Sequence, residues 1–315
     1  MQDILTITLN PAVDLSSAVD QVEPELKLRC DPPVTDPGGG GINVSRAVRI
    51  LGGQTRALVA IGGPMGKKLR QLLVEEGIAI LPFRAPGETR QSLAVTDRRD
   101  GRQYRFVFPG PTWDDERLSA VLGSIRDAVP DSGFVVLSGS LPPGIPPHFA
   151  TLVCDCLKDT GAKVVVDTSG AALQDLAKAH PHVPYILRMD GEEAEGLAGQ
   201  PLPTRADSVA FAASLVARGA ARVVVVARGA DGSVLAADGL RLHAAAAPVP
   251  VKSKVGAGDS FVAGFTLSLA RGQDLGAALQ RGAAAASAAV MTDATRLCTR
   301  ADAERLIAEC PLTEL

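Results

Sequence analysis

Aromatic and basic residues are both in short supply in this sequence. One Trp, two Tyr and eight Phe account for 3% of the 315 residues, and 32 Lys and Arg face 35 Asp and Glu, giving a net charge of -3. A protein that binds nucleic acid needs a basic surface to neutralise phosphates, often with aromatic side chains on which bases stack. A nucleic-acid partner is therefore not expected, and basic residues should matter only locally.

Long apolar runs and paired cysteines are missing as well. The longest buried-looking run, residues 223–227, has only the length of a strand, and residues 1–9 lack the pattern of a signal peptide. The five cysteines are scattered, and neither they nor the four histidines have a metal-ligand spacing. The sequence thus predicts a cytoplasmic protein with reduced thiols and no membrane segment.

What the sequence does contain is an alternation of short β-branched runs and helical patterns. This alternation is typical of a parallel sheet covered by helices, so the expected fold class is α/β with a doubly wound, mostly parallel sheet. Strands are predicted at 4–9, 56–61, 134–137, 163–166 and 223–227, and helices at 42–51, 67–76, 147–160, 208–218, 258–271 and 275–291.

Two regions interrupt this alternation and predict a separate small β layer. One is residues 26–34, and the other is the pair 92–96 and 103–108, joined by a turn in which Asp100-Gly101 is a hairpin signal. About three strands cannot bury an apolar face alone. The layer is therefore expected to pack on the main domain or on a second subunit.

The segment 254–260, Lys-Val-Gly-Ala-Gly-Asp-Ser, carries the strongest chemical signal. Gly256 and Gly258 let the backbone approach a ligand, and the free N–H groups at the start of the next helix favour an anion such as phosphate. Asp259 could accept the proton of an attacking hydroxyl while those N–H groups hold the transferring phosphoryl oxygens. A simple capped helix start is the alternative interpretation.

A run of four glycines, residues 38–41, precedes a second helix pattern. Four successive residues without a Cβ suit the close approach of a ligand such as a sugar ring, and Asn43 could donate to or accept from its hydroxyls. A flexible loop is the alternative, but the helical pattern that begins directly after Gly41 favours a fixed one.

Basic residues are concentrated in the regions that interrupt the alternation. They are Lys27, Arg29, Arg90, Arg102 and Arg105. Lys27 and Arg29 would share one strand face, as Gln103 and Arg105 would, because side chains alternate along a strand. Exposed charges are usually only solvated, yet their concentration here suggests a phosphate-binding surface.

Other nucleotide-binding patterns do not fit. Residues 62–68 resemble a P-loop but have the wrong spacing and lack the Ser or Thr that would hold magnesium. The signatures of protein kinases are missing. An NAD-linked dehydrogenase would want Gly-x-Gly-x-x-Gly after the first strand, where Asn10-Pro11-Ala12 stands instead.

Together these motifs resemble those of the ribokinase-like, or PfkB, family of carbohydrate kinases over nearly the whole chain. The shared segments are 8–14, 27–30, 37–44, 89–91, 103–107, 138–144, 255–260 and 295–298. The resemblance implies a ribokinase-like, Rossmann-type sheet in a single kinase domain, residues 1–315. It also implies a β lid built from about 13–36 and 88–109, through which two chains would form a homodimer.

The resemblance further implies a reaction. The expected activity is that of an ATP-dependent sugar-phosphate kinase with Mg²⁺ as cofactor, converting fructose 6-phosphate and ATP to fructose 1,6-bisphosphate and ADP. Fructose 1-phosphate and tagatose 6-phosphate are alternative acceptors. A catalytically weak sensor of sugar phosphate or nucleotide is the alternative of another class.

Site residues are carried over from the family motifs position by position. Asp259 would be the catalytic base, with Gly256, Ala257 and Gly258 as the anion hole. The residues expected to bind the sugar phosphate are Asp14, Lys27, Gly38, Gly39, Asn43, Arg90, Arg105, Ser138 and Gly139. Those expected on the nucleotide side are Arg188, Asp190, Ala227, Gly229 and Gly232, with Glu193 acting indirectly on magnesium.

Three positions depart from the family pattern. Asp190 replaces the amide of an Asn-x-x-Glu motif, from which unusual magnesium dependence is expected. The segment 252–254 is shorter than its family counterpart, and residues 292–294 also differ. These two loops contribute to a monovalent-cation site in the family, so potassium activation is not expected, and the Lys254 ammonium is expected to take the place of the ion.

Overall fold

A large mixed sheet with helices on both faces and a small second sheet make up the structure, a computed structural model that describes residues 1–293 and 296–315. The strands are β1 Asp3–Thr8, β2 Ala12–Val19, β3 Val34–Gly38, β4 Arg56–Ile61, β5 Ala79–Arg84, β6 Arg90–Asp97, β7 Gln103–Val107, β8 Ser132–Ser138, β9 Gly161–Asp167, β10 Ile186–Asp190, β11 Val223–Ala227, β12 Ser233–Ala237, β13 Leu240–Ala244 and β14 Leu312–Glu314.

The helices fall between these strands and after β13. They are α1 Gly40–Ile50, α2 Gly63–Glu75, α3 Asp115–Ala128, α4 Phe149–Leu157, α5 Gly170–Leu176, α6 Gly191–Ala198, α7 Arg205–Ala217, α8 Ala257–Ala270, α9 Leu275–Val290 and α10 Arg300–Leu306. Short 3₁₀ turns lie at Gly229–Asp231 and Ile307–Glu309. No helix of the described residues is long and apolar enough to cross a membrane.

The large sheet has ten strands in the order β14-β13-β12-β11-β10-β9-β8-β1-β4-β5. From β11 to β5 neighbouring strands are parallel, whereas β12, β13 and β14 add an antiparallel edge. Parallel strands joined by helices are covered on both faces. The predicted doubly wound α/β class is therefore confirmed.

Alternate side chains of the central strands build two separate cores. Ile4 and Phe134 point to the face that packs on α1, α8 and α9, whereas Leu5 and Val135 point to the face covered by α3, α4 and α7. Helix α8 is enclosed within its core, with every residue from Ser260 to Ala270 buried. A position buried on all sides suits these apolar or small side chains, and it packs α8 firmly against the sheet from the residue after Asp259 onwards.

The small sheet has the strand order β3-β2-β6-β7. Strands β2 and β6 are parallel, from Ala12 opposite Arg90 to Val19 opposite Asp97, and β6 and β7 form the predicted hairpin. The turn of this hairpin contains Gly101 with φ 72, a left-handed conformation that favours glycine.

The prediction of a strand at 26–34 is wrong. Residues 20–33 form a loop, which we call the tip loop, and only Val34 belongs to a strand. Pro24, Pro32 and Pro33 have no N–H to donate to a sheet, which explains why the chain is unpaired here. The partner of β6 is instead β2, whose Ser16 and Ser17 hid the apolar alternation. Lys27 and Arg29 consequently share no strand face.

The other predicted elements are present. The five strands predicted for the large sheet correspond to β1, β4, β8, β9 and β11, and the six helices to α1, α2, α4, α7, α8 and α9, with ends displaced by a few residues.

Candidate active site

The site forms where the direction of the chain through the large sheet reverses. The chain passes from β1 to β4 and β5 on one side and later enters β8 on the other side of β1. Crevices at the carboxyl ends of strands at such a reversal are where open α/β sheets bind ligands. Ser138 ends β8 at this place, and α1 and α8 both begin there.

Asp259 lies in the first turn of α8 and is held by side chains from two other elements. Its Oδ2 accepts a hydrogen bond from Asn43 Nδ2 at 2.9 Å, and its Oδ1 accepts one from Ser138 Oγ at 3.4 Å. The N-cap of α8 is Gly256, with φ 76 and no side-chain cap. Asp259 therefore does not cap its helix, which removes the simpler interpretation of the Gly-Ala-Gly-Asp motif.

The pKa of Asp259 is raised to about 7, first by burial and then by the charge of nearby Asp167. The hydrogen bonds from Asn43 and Ser138 and the positive charge of Arg188 oppose this rise without cancelling it. A carboxylate with a pKa close to neutral is well matched to receive a proton from a hydroxyl group.

The glycine run brings site residues together rather than leaving bare space for a ligand. A Cβ on Gly38 would overlap the Asp14 carboxylate, and one on Gly40 would overlap the hydroxyl of Ser138. Both glycines are needed so that α1 can begin against these two side chains. The run is also fixed rather than flexible, because the helix begins within it.

Arg188 in β10 and Asp167 at the end of β9 form an ion pair beside the start of α8. Arg188 Nη1 is 3.0 Å from Asp167 Oδ1, and the two side chains are 14% and 13% exposed. A Cβ on Gly258 would lie 3.1 Å from the same Nη1, so the guanidinium stands against the predicted anion hole. Its buried Nε has no hydrogen-bond partner among the described residues and remains available as a donor.

Asp167 is the site residue that the sequence analysis missed. The signal available was weak: a polar residue directly after the predicted strand 163–166. Such a residue belongs to the ligand-binding edge of a parallel sheet, but only the order β10-β9-β8 shows that it faces Arg188 and Asp259.

Asp190 and Glu193 cap the amino-terminal end of α6 with one carboxylate oxygen each. Asp190 Oδ1 accepts from the Glu193 N–H at 2.9 Å, and Glu193 Oε2 accepts from the Asp190 N–H at 2.8 Å, a reciprocal capping box. Burial, followed by repulsion from Asp190 and Asp167, raises the pKa of Glu193. Asp167, Asp190 and Glu193 each keep one carboxylate oxygen that has no hydrogen bond to the described residues.

These free oxygens fit a divalent ion that arrives with a nucleotide. Magnesium in such sites is bound by one or two carboxylates and by substrate phosphates rather than by a full protein cage. Among residues 1–293 and 296–315 there is no group of three or more His, Cys, Asp or Glu side chains that could hold a metal ion by themselves. Asp167, Asp190 and Glu193 are the residues that would face the ion.

The predicted nucleotide-side loop follows β11, next to β10. Ala227 ends β11 opposite Asp190, Gly229 is the first residue of the 3₁₀ turn, and Gly232 directly follows the turn. Asp231 in this turn is paired with Arg205 and Arg228, which keep the pKa of its carboxyl at about 2. The loop therefore has a fixed shape at the carboxyl edge of the sheet.

The small sheet brings together three of the residues predicted to bind the sugar phosphate. Asp14 in β2 lies near Arg90 in β6 and Arg105 in β7, and its pKa is raised by burial despite both arginines and a hydrogen bond with Ser92. The Arg90 guanidinium donates to the carbonyls of Asn10 and Phe108, at 3.2 and 3.4 Å, where the chain enters and leaves the small sheet.

Lys27 is not brought to this cluster. The tip loop leaves the sheet after Val19 and rejoins it at Asp31, whose N–H donates to Ala18 O at 3.0 Å. Asp14 lies roughly 13 Å along the strand from Ala18, at about 3.3 Å for each residue. Lys27 is exposed and has no described contact with Asp14, Arg90 or Arg105.

The two loops that differ from the family at its monovalent-cation site are linked by an ion pair. The lysine in this pair is Lys252 and not the predicted Lys254. Lys252 Nζ is 3.4 Å from Asp293 Oδ1, and the Lys252 N–H donates to Val290 O at 2.8 Å. Lys254 is exposed and makes no described contact with residues 291–293. Ala294 and Thr295, which also belong to the predicted differences and motifs, lie outside the described residues.

The P-loop-like segment is closed to phosphate. Helix α2 begins there, and its Met65 N–H donates to Glu88 Oε1 at 2.7 Å. A carboxylate of the protein thus occupies the position that a bound phosphate would need.

The family model described as pfkB family carbohydrate kinase matches residues 2–302. The chain belongs to the pfkB family of carbohydrate kinases. It is thus a phosphotransferase that acts on a sugar hydroxyl, as the sequence predicted, and kinases of this family use ATP with a divalent metal.

Similar proteins share most of their length with this chain. It is 38% identical over 302 residues to ATP-dependent 6-phosphofructokinase isozyme 2 of Mycobacterium tuberculosis, covering 96% of this chain and 88% of that protein. The isozyme 2 of Escherichia coli is 36% identical, with 98% and 99% covered. A 1-phosphofructokinase of Bacillus subtilis is 30% identical, with 99% and 100% covered.

Solved structures agree with the fold. Phosphofructokinase-2 from Escherichia coli in complex with potassium superposes with a TM-score of 0.91 at 36% identity, covering 98% of this chain and 99% of that chain. The same enzyme in complex with fructose-6-phosphate gives 0.88 at 35% identity, with the same coverage. The ribokinase-like fold predicted from the motifs is confirmed.

Proposed function

We propose that this chain is an ATP-dependent 6-phosphofructokinase, which converts fructose 6-phosphate and ATP to fructose 1,6-bisphosphate and ADP in the cytoplasm. The observation that carries the proposal is Asp259, with a pKa near 7, held by Asn43 and Ser138 at the start of α8. This carboxylate lies where a sugar hydroxyl and the end of a triphosphate could meet, and two isozyme 2 relatives cover nearly the whole chain.

The base is positioned by uncharged donors. Asn43 and Ser138 orient the Asp259 carboxylate without neutralising it, so it can accept the proton of the attacking hydroxyl as the new O–P bond forms. The Ala257 N–H donates to Lys254 O at 3.4 Å, whereas the N–H groups of Gly258 and Asp259 have no described partner. Because Gly256 and Gly258 carry no side chain, these two N–H groups can hold the transferring phosphoryl oxygens.

Arg188 adds a fixed positive charge at the same place. Burial disfavours its charged form, but Asp167, Glu193 and Asp190 outweigh burial and raise its pKa. A permanently charged guanidinium with a free Nε suits the negative charge that spreads over the phosphoryl oxygens during transfer. Mg²⁺ bound with the triphosphate would neutralise charge on its β- and γ-oxygens. The expected unusual magnesium dependence at Asp190 stays a prediction.

On the acceptor side, Arg90 and Arg105 are proposed to bind the phosphate that the sugar already carries, with Asp14 binding a sugar hydroxyl. Guanidinium groups bind phosphate through charge-assisted hydrogen bonds. We propose that the small sheet is part of a lid formed from about 13–36 and 88–109. This lid would cover the site and exclude water from the transferring phosphoryl group.

Two chains are proposed to pair through their lids. Val34, Tyr104, Phe106, Val107 and Phe108 are exposed large hydrophobic residues of the small sheet and the residue that follows it. An exposed apolar patch of this kind is typical of a protein–protein interface. Escherichia coli phosphofructokinase-2 has a tetrameric inhibited form, so its chains do associate. If Lys27 binds a sugar phosphate, its place at the tip favours the site of a paired chain.

The test is a coupled assay of ATP consumption against a panel of sugars. Fructose 6-phosphate, fructose 1-phosphate, tagatose 6-phosphate and the free sugars are compared by kcat/KM. We expect fructose 6-phosphate to give the highest value. A higher value for fructose 1-phosphate would favour the activity of the 1-phosphofructokinase relatives. Binding of sugar phosphate and nucleotide without turnover of any sugar would favour a sensor.

A further inference from the structure

The tip loop, residues 20–33, is held at its two ends and has few contacts between them. At the far end, Ser17 Oγ donates to Asp31 O at 2.8 Å and the Asp31 N–H donates to Ala18 O. Apart from a turn at Pro24 and Glu25, residues 24–30 make no hydrogen bond to described residues outside the loop. Lys27 lies in this stretch, so its position depends on how the ends are held.

One guanidinium joins both ends. Arg98 lies in the hairpin turn between β6 and β7, and its Nη1 is 3.1 Å from Asp20 Oδ1 at the start of the tip loop. Its Nη2 contacts Asp31 Oδ2 at the other end. The Arg98 N–H also donates to Val19 O at 3.0 Å. Asp20 and Asp31 would otherwise be two like charges at the base of an unpaired loop.

A buried carboxylate next to Arg98 reinforces this connection. The side chain of Asp97 is fully buried, and its Oδ2 accepts from the Val22 N–H in the tip loop while its Oδ1 accepts from the Arg99 N–H, both at 2.9 Å. The N–H of Val22, followed by that of Arg99, holds the pKa of Asp97 below its usual range. The hairpin and the tip loop are thus joined by two neighbouring residues that phosphoryl transfer does not use.

The loop also contains a conformation that needs such support. Glu25, two residues before Lys27, has φ 63. A residue with a Cβ is strained there, and such strain persists only where the surroundings fix the chain.

We propose that Arg98 is a positioning residue for the acceptor sugar phosphate. By binding Asp20 and Asp31 together it closes the tip loop and presents Lys27, the charge on the loop expected to contact phosphate. The inference rests on the proposed function. It holds for either placement of Lys27, in the site of its own chain or in that of a paired chain.

The first experiment compares kinetic constants of single variants. Arg98→Ala is expected to raise KM for fructose 6-phosphate about three- to tenfold, the size that the loss of two exposed ion pairs allows. Its kcat and its KM for ATP should stay within about twofold of the unmodified enzyme, because uniform binding of one substrate is lost. The KM of Arg98→Lys for fructose 6-phosphate should lie between those of the unmodified enzyme and Arg98→Ala, since an ammonium group lacks the fork that reaches two carboxylates at once.

Asp100→Ala is the matched control. Asp100 lies in the same hairpin turn and contacts Arg102, but it has no described contact with the tip loop. Its KM for fructose 6-phosphate should stay unchanged. An equal rise of KM in Asp100→Ala and Arg98→Ala would overturn the proposal, because it would mean that the hairpin is merely destabilised. A fall in kcat together with an equal rise in both KM values of Arg98→Ala would overturn it for the same reason.

The second experiment asks whether Arg98 acts through Lys27. In the Lys27→Ala background, adding Arg98→Ala should change KM by less than about twofold, because the contact to be positioned is already gone. If Arg98→Ala raises KM in the Lys27→Ala background by the same factor as it does alone, the proposal is overturned.

Limited trypsin cleavage after Lys27 or Arg29 separates this inference from the proposed function. Arg98→Ala should be cut faster than the unmodified chain and Asp100→Ala should not, whatever the substrate is. Faster cleavage with an unchanged KM would show a held loop that does not serve the acceptor. No turnover of fructose 6-phosphate by the unmodified chain would instead defeat the proposed function.

Discussion

Asp259 combines three properties that rarely meet in one carboxylate. It is oriented by Asn43 and Ser138, it lies beside free helix N–H groups, and its pKa is raised to about 7 by burial and by Asp167. Either orientation or proximity alone would fit a structural residue. Together with an elevated pKa they are typical of a group that exchanges protons during a reaction.

Replacing Asp259 by Asn keeps the shape of the side chain and removes the base. We expect kcat to fall by about 10² to 10⁴, the usual contribution of a positioned general base, while circular dichroism shows an unchanged fold. Asn43→Asp is a useful comparison, because it disturbs the same hydrogen bond without removing Asp259. Near-normal turnover in Asp259→Asn would mean that another group accepts the proton.

The raised pKa predicts the pH dependence of the rate. Asp259 must be ionised to accept a proton, so kcat/KM should fall below about pH 7 and level off above it. With an ordinary aspartate the rate would stay flat down to about pH 4. The measurement is kcat/KM for the acceptor from pH 5 to 9, with ATP saturating. A profile without any decrease near pH 7 would contradict the assignment.

Arg90 and Arg105 should differ in a way that the sequence did not show. Each alanine variant should raise KM for the sugar phosphate about tenfold or more and leave KM for ATP nearly unchanged, because a charge-assisted contact of about 1.5–3 kcal/mol is lost. Arg90 also donates to Asn10 O and Phe108 O. Arg90→Ala should therefore lower the melting temperature as well, whereas Arg105→Ala, on exposed β7, should not. Equal KM effects on both substrates would return these residues to solvated surface charges.

At the scale of elements, the sequence pattern predicted the interior strands and the β6–β7 hairpin but failed at β2 and β3 of the small sheet. Residues 57–60 and 223–226 are apolar and buried, and the strands that contain them, 56–61 and 223–227, have the predicted bounds. In contrast, β2 reads Ala-Val-Asp-Leu-Ser-Ser-Ala-Val, a pattern of a partly covered sheet in which polar and apolar residues mix. Exposed sheets leave a weak signal because burial, which creates the alternation, is incomplete.

The same limit applies to the site. Glycine-rich motifs at the starts of helices predicted Asp259, Asn43 and the small residues around them, since few other roles require such a backbone. Asp167 and Arg98 act through partners distant in sequence, 21 residues away at Arg188 in one case and 67 away at Asp31 in the other. A single sequence has no signal for pairs of this kind.

The segment 252–254 predicts how the enzyme responds to potassium. Lys252 already joins its loop to Asp293, so we expect activity to be indifferent to potassium when sodium keeps the ionic strength constant. Lys252→Ala should then acquire potassium activation, and comparison with Lys254→Ala shows which ammonium group replaces the ion. Strong potassium activation of the unmodified chain would contradict this. A relative whose structure contains potassium makes the comparison direct.

For the whole molecule, the exposed apolar side chains of the small sheet predict association. Phe106, Val107 and Phe108 are each more than half exposed on or directly after the edge strand β7. Analytical ultracentrifugation at micromolar concentration should give a species of twice the chain mass of 32.5 kDa. Phe106→Asp should shift it towards monomer, because a charge would be buried at the interface. A monomer of the unmodified chain would count against pairing through the lid.

The central place of β1 has a consequence for how the chain is made. Its first six-residue strand needs β8 on one side, and Ile4 pairs with Phe134. During synthesis, at roughly 5–20 residues per second, the nascent chain therefore carries an apolar strand with one open edge for some seconds before Ser138 leaves the ribosome. Open edges of this kind recruit other chains. We therefore expect amino-terminal fragments that end before β8 to aggregate more readily than the full chain.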